Sequence, residues 1–290
     1  TDKAIREGLQ NLREGSLYDN LYLSAKARSE ADWLVGINSS QALSLAAGQG
    51  VFSLGRVQTP TLAMICSRYW ENKQFKPRTY FRIKVSTAKD GIDFSAWSQD
   101  RFDDLGSATA KFREVENDGK LVVTSVECRE AVQEPPLLYD LTALQKEANS
   151  KLDFSADKTL TLAQSLYEKK VLSYPRTGSR YISEDVFEEI PSRITLLQQY
   201  PRFAAIASVL RDTPLNRRSV DDAKVTDHHA LLITENLPEG LSKDEQAIYE
   251  MVTARLLEAF FPHCVKEMTE VTLSAGGGIF TLKGTVIKSA

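Results

Sequence analysis

Residues 80–85, Tyr-Phe-Arg-Ile-Lys-Val, mark the point where the sequence changes from a helical pattern to a strand pattern. Apolar and polar side chains alternate here, which is typical of a strand with one buried face. Before this point, apolar residues recur at helical spacing, for example along residues 19–47. The sequence therefore predicts an α+β fold that is multidomain and mainly helical.

Further strand and helix patterns divide the rest of the chain into blocks. The predicted strands are residues 80–85, 92–97, 121–128, 267–273 and 280–287. The predicted helices are residues 2–12, 19–47, 57–72, 107–115, 140–152, 158–169, 184–199, 202–211 and 242–261, the last beginning with a capping box at Ser242 to Glu245. Residues 131–136 are predicted to be an extended linker, because proline restricts the residue before it.

The order of these blocks is helices, strands, helices, strands. The simplest assembly pairs the last strands with the earlier ones. A β domain, residues 79–136 and 262–290, is then split by an inserted helical domain, residues 137–261, and follows a helical domain of residues 1–78. Insertion of one domain into a surface loop of another is physically tolerated.

The composition predicts a folded globular protein. Among the 290 residues, 12 Phe, 10 Tyr and 3 Trp supply a sizeable core. The 36 Lys and Arg against 39 Asp and Glu give a net charge of −3, which excludes a histone-like protein but leaves local basic grooves open. No apolar run reaches about 18 residues, so no membrane span is predicted. Cys66, Cys128 and Cys264 are far apart, which argues against a zinc or disulfide framework and favours isolated buried thiols.

The first candidate active-site segment is Ser173-Tyr174-Pro175-Arg176. Pro175 disfavours the α region for Tyr174, so the tyrosine is predicted to project from a tight loop after a helix. A free phenol, with a pKa of about 10, is a poor nucleophile. A guanidinium beside it favours the phenolate and binds phosphate oxygens, which is what attack on a phosphodiester needs. The alternative is a loop tyrosine that packs on a helix.

The second candidate segment is Asp227-His228-His229-Ala230, which holds two of the three histidines. Adjacent side chains on a helix or strand point apart, so a metal shared by both rings is not expected. One histidine, when protonated, is able to donate a hydrogen bond to a phosphate. The alternative is a pair of solvent-facing or capping histidines.

The third candidate segment, Ser53-Leu54-Gly55-Arg56-Val57-Gln58, opens a predicted helix. Gly55 permits a close backbone approach, and free N–H groups at a helix start favour an anion. Upstream, Arg28 and Asp32 are four residues apart on one helix face. They are equally compatible with a surface ion pair of little energetic value.

In this order, the segments resemble those of the type IA DNA topoisomerases of the topoisomerase III-like kind. The matching stretches are AKARSEADWLVGIN, SLGRVQTPTLA, EPPLLYDLTALQKEAN, KTLTLAQSLYEKKVLSYPRT and DHHA. The resemblance extends from about Ala4 to the end of the chain. Five motifs in family order, with matching spacing, are highly specific.

The resemblance implies a role for each candidate residue. Tyr174 matches the nucleophilic tyrosine, which attacks one DNA strand and stays attached to its 5′ phosphate. Arg176 matches the arginine that positions this phosphate, and His228, rather than His229, matches the histidine near the active site. The residues that match the single-strand-binding groove are Arg28, Asp32, Ser53, Arg56 and Gln58.

The resemblance also implies the torus-like core of the family. Residues 1–78 would form its base with the groove, residues 79–136 and 262–290 a split antiparallel β arch, and residues 137–261 the domain with the tyrosine. Transesterification conserves the bond, so cleavage, strand passage and religation need no ATP. The expected partner is single-stranded or negatively supercoiled DNA, bound by a monomer in the bacterial cytoplasm and not at a membrane. Whether a helicase acts with it stays open.

Two departures from the family pattern modify this expectation. The family has an acidic domain that binds Mg²⁺ before the residue matching Thr1, and this chain begins without methionine. We therefore expect a piece of a longer protein, with no metal site of its own, that does not cleave DNA appreciably alone. Gly178 stands where many relatives have an acid, which puts the role of that acid in doubt.

Two other functions are compatible with the residues alone. The helix and loop at Lys158–Tyr174 would also suit a non-catalytic, winged-helix-type module that binds duplex nucleic acid without using the tyrosine. A tyrosine recombinase would need several arginines and would attach to the 3′ phosphate. Labelling the DNA end retained in an adduct decides between the enzymes.

Overall fold

A computed structural model of the chain describes residues 2–225 and 227–289, which form two compact units. The N-terminal unit is Asp2–Tyr80, and the C-terminal unit begins at Phe81. The described residues combine α helices with a five-stranded antiparallel sheet, which confirms the α+β composition. Among these described residues, no helix combines the length and the apolar character needed to cross a lipid bilayer.

The N-terminal unit contains helices α1 (Asp2–Gln10), α2 (Asp19–Ala47) and α3 (Gln58–Lys73). α2 ends at Gly48, which has a φ of 72°, as expected for a glycine that terminates a helix. No described residue of α2 or α3 is buried within this unit, and Trp33 is 64% exposed. The apolar spacing therefore predicted the helices correctly without indicating what covers them.

The C-terminal unit contains the sheet. Its strands are β1 (Lys84–Lys89), β2 (Ile92–Ser98), β3 (Val122–Gln133), β4 (Cys264–Ala275) and β5 (Gly278–Ser289). The order is β1-β2-β5-β4-β3, and β3 pairs with β4 from Val122 opposite Ser274 to Gln133 opposite Cys264. The chain thus leaves the sheet after β3 and returns to it at β4, so the late strands do pair with the early ones. The division into separate domains is not tested by this pairing and stays a prediction.

A small apolar core lies between the sheet and α4 (Leu105–Asp118), where Val115 packs against buried strand residues. Asp104 caps this helix by accepting a hydrogen bond from the Ser107 N–H at 2.8 Å. The buried strand and pre-strand residues of this core are Ile83, Ala96, Leu273, Ala275 and Phe280.

The turn between β4 and β5 is Gly276-Gly277, and both residues have a positive φ, of 50° and 68°. A Cβ at Gly276 would lie 2.6 Å from the Glu114 backbone in α4, whereas one at Gly277 would meet only Lys111 Nζ, at 3.5 Å. We therefore expect Gly276→Ala to destabilise the C-terminal unit by about 3 kcal/mol, because a backbone clash adds to left-handed strain. Gly277→Ala, the control, has the strain alone and should lose about 1 kcal/mol. Urea unfolding measures both, and equal losses would contradict a rigid contact with α4.

Six helices are described between β3 and β4, and they enclose the larger core. They are α5 (Leu141–Leu152), α6 (Ala156–Glu168), α7 (Glu184–Phe187), α8 (Ile190–Leu197), α9 (Ala204–Arg211) and α10 (Lys243–Phe260). α10 contributes fully buried residues along its length, such as Ile248 and Leu256. The predicted capping box at its start is confirmed, since Ser242 and Glu245 each bond the other's backbone N–H through their side chains.

Two predicted strand boundaries are wrong. The strand predicted at residues 80–85 is β1, which begins later, because Phe81 instead forms an isolated bridge with Phe102. The linker predicted at residues 131–136 begins later too, because β3 stays paired with β4 as far as Gln133. In both cases the strand boundary depends on pairing with a distant segment, and the local sequence holds no information about that partner.

The single helix predicted at residues 184–199 is also wrong, because the structure has α7 and α8 in its place. Pro191 lies in the first turn of α8. Proline has no N–H to donate, and its ring crowds the carbonyl four residues earlier, so a continuous helix cannot pass through it.

The prediction of three buried thiols is wrong as well. Cys66 and Cys128 are exposed and Cys264 is half-buried, and all three are free. Cys66 lies on α3, none of whose residues is buried within its unit, and Cys128 lies on β3, an edge strand of the sheet. Free cysteine is usually buried, so the sequence pointed to burial, and the exposure follows from where α3 and β3 place these residues.

Candidate active site

Tyr174 lies in a loop that begins where α6 ends. Lys170, with a left-handed φ of 62°, turns the chain out of the helix. The Ser173 N–H then donates to the Leu232 carbonyl at 2.9 Å, and Thr234 Oγ1 donates to the Lys170 carbonyl at 2.5 Å. The base of the tyrosine loop is therefore fixed by a segment that is distant in sequence.

Thr177 fixes the other end of the loop. Its hydroxyl donates to the His228 carbonyl at 3.1 Å and accepts from the Ser179 N–H at 3.1 Å. Its carbonyl accepts from the Leu141 N–H at 3.1 Å, where α5 starts. Because Thr177 is buried, these bonds are protected from water and attach the tyrosine loop directly to the two-histidine segment.

The Tyr174 ring contacts two other rings. The Tyr167 ring on α6 is 5.4 Å away between centroids at an interplanar angle of 75°, and the His228 ring is 4.8 Å away at 54°. Tyr174 is half-buried, and its hydroxyl has no hydrogen-bond partner among the described residues and reaches the surface. The ring is thus held by packing while its oxygen stays available.

Arg176 is exposed and is directed at α6, where its Nη1 donates to Gln164 Oε1 at 3.0 Å. Within the described residues, no hydrogen bond joins this guanidinium to the Tyr174 phenol. The direct guanidinium–phenol contact anticipated from the sequence is therefore not formed. The side chain of Gln164 instead holds the arginine against the helix.

The two adjacent histidines have different environments. His228 is exposed with its ring against Tyr174, whereas His229 is largely buried and its Nδ1 lies 2.6 Å from the Ala230 carbonyl. Burial lowers the pKa of His229, and the nearby charge of Arg193 acts in the same direction. His228 is thus the histidine that faces the tyrosine.

Two ion pairs of different burial join α6 to α10. Lys169 Nζ lies 2.6 Å from Oε1 of Glu245, which is 7% exposed and also accepts from Ser165 Oγ at 2.6 Å. Lys158 Nζ lies 2.7 Å from Asp244 Oδ2, and both of these side chains are about half exposed. The hydrogen bond from Lys169, and then the one from Ser165, lower the pKa of Glu245 to about 2. α6 is therefore fixed just before the tyrosine loop.

Glu245→Gln should lower the free energy of unfolding of the C-terminal unit by about 2 kcal/mol at neutral pH, because Lys169 and Ser165 lose a charged acceptor. A carboxyl whose pKa is lowered in the folded state stabilises the fold at pH values above its pKa in the unfolded chain, which is about 4.3 for glutamate. This contribution is lost as the pH falls through that value towards about 2. Urea unfolding at neutral pH and at about pH 3 should therefore show the difference between parent and variant shrinking.

Asp244→Asn is the matched control, since it removes the exposed pair between the same two helices. Its effect should stay below about 1 kcal/mol. A difference between parent and Glu245→Gln that does not change with pH would contradict the assignment of this stability to the ionised Glu245.

The five residues matched to a single-strand groove lie in the N-terminal unit and are all exposed. Asp32 is paired with Arg56, whose Nε lies 2.5 Å from Oδ1 and whose Nη2 lies 3.1 Å from Oδ2. This bond lowers the pKa of Asp32, and the charge of Arg28 adds to the effect. The fork between Asp32 and Arg56 thus replaces the Arg28–Asp32 ion pair that the helical spacing suggested. Ser53 and Gln58 complete this group on the segment that contains Arg56.

The segment that precedes Arg56 is held against α2 by two serines. Ser44 Oγ accepts from the Phe52 N–H at 2.9 Å, and Ser40 Oγ accepts from the Leu54 N–H at 2.8 Å. Ser44 Oγ also donates to the Phe52 carbonyl, and Ser40 Oγ to the Leu54 carbonyl, each at 3.3 Å. Ser53 is therefore exposed between two fixed neighbours.

Gly178 has space for a side chain. Its φ is not positive, and no atom lies within 4 Å of a Cβ built there. A side chain at this position would therefore meet no neighbouring atom at its Cβ. Its absence leaves Arg176 without a carboxylate two residues away.

Sequence reasoning missed three residues of this site, namely Gln164, Tyr167 and Thr177. Gln164 and Tyr167 are three residues apart and therefore lie on one face of α6. A polar and an aromatic residue on one helix face, just before the candidate loop, could have indicated that this face supports the loop. Thr177 gave no such signal, because its bonds to His228 and Leu141 depend on the fold.

Comparison with known proteins gives one family. A family model described as DNA topoisomerase matches residues 16–290. The chain is 40% identical to DNA topoisomerase 3 of Shouchella clausii and 39% identical to that of Bacillus licheniformis, with all of this chain and 41% and 40% of the relatives covered. Full-length topoisomerase I from Thermotoga maritima matches with a TM-score of 0.68 and 27% identity, over all of this chain and 47% of that one. The chain thus spans less than half the length of the curated relatives it matches.

Proposed function

The chain belongs to the type IA DNA topoisomerases of the topoisomerase III-like kind, and we propose that the complete gene product cuts and rejoins single DNA strands with Tyr174. One observation carries the proposal: the Tyr174 hydroxyl reaches the surface without a described protein partner, while Tyr167 and His228 hold its ring. An accessible phenol in a fixed direction is suited to attack on a phosphodiester.

In the proposed reaction, one phosphodiester bond is exchanged for another. The Tyr174 oxygen bonds to the phosphorus of one strand, and the bond from that phosphorus to the 3′ oxygen of the neighbouring nucleotide breaks. The phenol loses its proton, and the 3′ oxygen gains one and leaves as a hydroxyl, so the 5′ phosphate stays on the tyrosine. Rejoining is the reverse reaction, and it needs no ATP because the bond is conserved.

Arg176 and His228 are the proposed phosphate ligands. Both are exposed, Arg176 in the tyrosine loop and His228 with its ring against Tyr174, and Arg176 keeps N–H groups free of Gln164. A guanidinium binds two phosphate oxygens at once, and a protonated imidazole donates one bond. Bound to the phosphate in this way, the two donors would stabilise the charge that develops on its oxygens during attack.

The groove proposed for single-stranded DNA lies in the N-terminal unit. Arg28 and Arg56 supply positive charge, and Ser53 and Gln58 supply exposed polar groups on a fixed backbone. Asp32 holds the Arg56 guanidinium in one orientation rather than binding DNA through its own charge. A groove of this kind follows a flexible strand, which fits single-stranded or negatively supercoiled DNA.

The proposed architecture is a mainly helical, torus-like core. Residues 1–78 are its base, residues 79–136 and 262–290 its β arch, and residues 137–261 the inserted domain with Tyr174. The departure of the chain from the sheet after β3 and its return at β4 support the insertion. Separation of such domains, while the cut ends stay bound, is the hinge motion that would let a second strand pass.

Magnesium, which the resemblance implies, does not fit the residues in hand. Among residues 2–225 and 227–289, no three His, Cys, Asp or Glu side chains form a group that could hold a metal ion. A monomeric state, a helicase partner and a location in the bacterial cytoplasm stay predictions.

The proposal is tested with a single-stranded oligonucleotide labelled at one end or the other. The complete gene product should retain covalently only the label on the 3′ side of the cut, because the tyrosine holds the 5′ phosphate. Retention of the opposite label would indicate recombinase-type chemistry. Tight binding to duplex DNA without any adduct would favour the non-catalytic module.

A further inference from the structure

We propose that Tyr167 is a positioning residue that sets the direction of the Tyr174 hydroxyl for attack, an inference that rests on the proposed role of Tyr174 as nucleophile. Tyr167 does not need to touch DNA to do so. It acts through the ring of Tyr174, which it contacts from α6.

The contact is a ring pair at a favoured geometry. The centroids of Tyr167 and Tyr174 are 5.4 Å apart, and the rings are nearly perpendicular at 75°. Aromatic pairs prefer such edge-to-face arrangements, because the positive ring edge meets the negative ring face. The pair therefore favours one orientation of the Tyr174 ring over its alternatives.

Tyr167 supplies the ring pair that joins α6 to the Tyr174 ring. The phenol has no hydrogen bond among the described residues, so no polar contact fixes its direction. The ring contacts are Tyr167 on one side and His228 on the other. Removal of the Tyr167 ring would leave the exposed His228 as the remaining ring contact.

The helix that carries Tyr167 is a rigid support. Its neighbours Leu166 and Ala163 are fully buried in the larger core. Lys169 and Ser165, in the same last turn, are both bound to Glu245 of α10. A side chain mounted on such a helix has a defined position, whereas the loop that carries Tyr174 depends on contacts to orient its ring.

The aromatic ring of Tyr167, rather than its hydroxyl, should carry this role. Tyr167 is 39% exposed, and its hydroxyl has no hydrogen-bond partner among the described residues. Tyr167→Phe keeps the ring pair, whereas Tyr167→Leu keeps apolar bulk and removes the pair. The two variants therefore separate ring orientation from simple filling of space.

The experiment measures single-turnover cleavage of a single-stranded oligonucleotide, and its binding by fluorescence anisotropy, with the complete gene product. Tyr167→Leu should slow cleavage about three- to tenfold, the range that corresponds to one aromatic pair, with an unchanged dissociation constant. Tyr167→Phe should restore the parent rate. Tyr181→Leu is the control, since Tyr181 contacts Lys224 and not the Tyr174 ring.

The outcomes distinguish this inference from the proposed function. If the parent protein forms no adduct, the proposed role of Tyr174 fails and takes the inference with it. If the parent forms an adduct and Tyr167→Leu cleaves at the parent rate, the inference alone is overturned. It is also overturned if Tyr167→Leu weakens DNA binding in proportion to cleavage, or if Tyr167→Phe is as slow as Tyr167→Leu. Should Tyr167→Leu fail to fold, the Phe variant and a Tyr167→His variant, which retains a ring, must both cleave near the parent rate.

Discussion

Tyr174→Phe should abolish covalent attachment to DNA and reduce plasmid relaxation by the complete gene product by at least about 10⁴-fold, as expected when a nucleophile is removed. The substitution deletes one oxygen atom and keeps the ring between Tyr167 and His228. The deleted hydroxyl has no described hydrogen-bond partner, so the fold should not change. Adduct formation on a labelled oligonucleotide, together with relaxation of supercoiled plasmid, measures the loss.

The control for Tyr174→Phe is the same change at Tyr181, which lies in the same C-terminal unit with its ring 4.8 Å from Lys224 Nζ. Tyr181→Phe should relax DNA at close to the parent rate. DNA binding should be nearly intact in both variants, because the phenol oxygen is one group among many contacts. An adduct that persists in Tyr174→Phe would mean that another residue is the nucleophile.

Local rules were sufficient wherever the structure depends on neighbouring residues. The capping box at Ser242 and Glu245 could be predicted from the sequence, because its two hydrogen bonds join residues that are three positions apart. The end of α2 at Gly48 was readable because a left-handed residue there favours glycine. The break at Pro191 followed from the same kind of rule, and only the strong apolar pattern of residues 184–199 concealed it.

Contacts between segments that are distant in sequence could not be predicted from such local rules. Whether Gln133 belongs to a strand depends on β4, more than a hundred residues later. The candidate active site depends on such contacts too. The tyrosine loop, α6 and the His228 segment come into contact only when the chain folds. Motif resemblance selected Tyr174, Arg176 and His228 as candidates, but it carried no information on which side chains support them.

The position of Arg176 is the clearest case of this limit. The sequence places a guanidinium two residues from a phenol and suggests that the two interact. In the structure, Gln164 binds Arg176 at 3.0 Å, and the phenol contacts rings instead. Activation of the phenol by this arginine in the absence of DNA is therefore not supported. The arginine is better placed to act on the phosphate than on the nucleophile.

Arg176→Ala should accordingly reduce single-turnover cleavage by about 10²- to 10³-fold, the range for loss of one group that stabilises transition-state charge. DNA binding should weaken by less than about tenfold, because one exposed cation is a small part of the charge that binds the strand. Arg176→Lys should lie between parent and Ala, since an ammonium keeps the charge but does not form the two parallel bonds. Rate and dissociation constant, measured on one oligonucleotide, separate these effects.

Arg211→Ala provides the matched control for lost charge. Arg211 is an exposed arginine of α9 in the same C-terminal unit, and it is paired with Asp212 through Nε at 2.9 Å. If Arg176 acted only through general attraction of DNA, both variants would lose binding and cleavage together, and added salt would reduce the difference between each variant and the parent. If Arg176 binds the reacting phosphate, its variant alone loses cleavage, and the loss persists when the oligonucleotide is saturating. Because Gln164 holds the guanidinium in a defined position two residues from the nucleophile, we expect the second result.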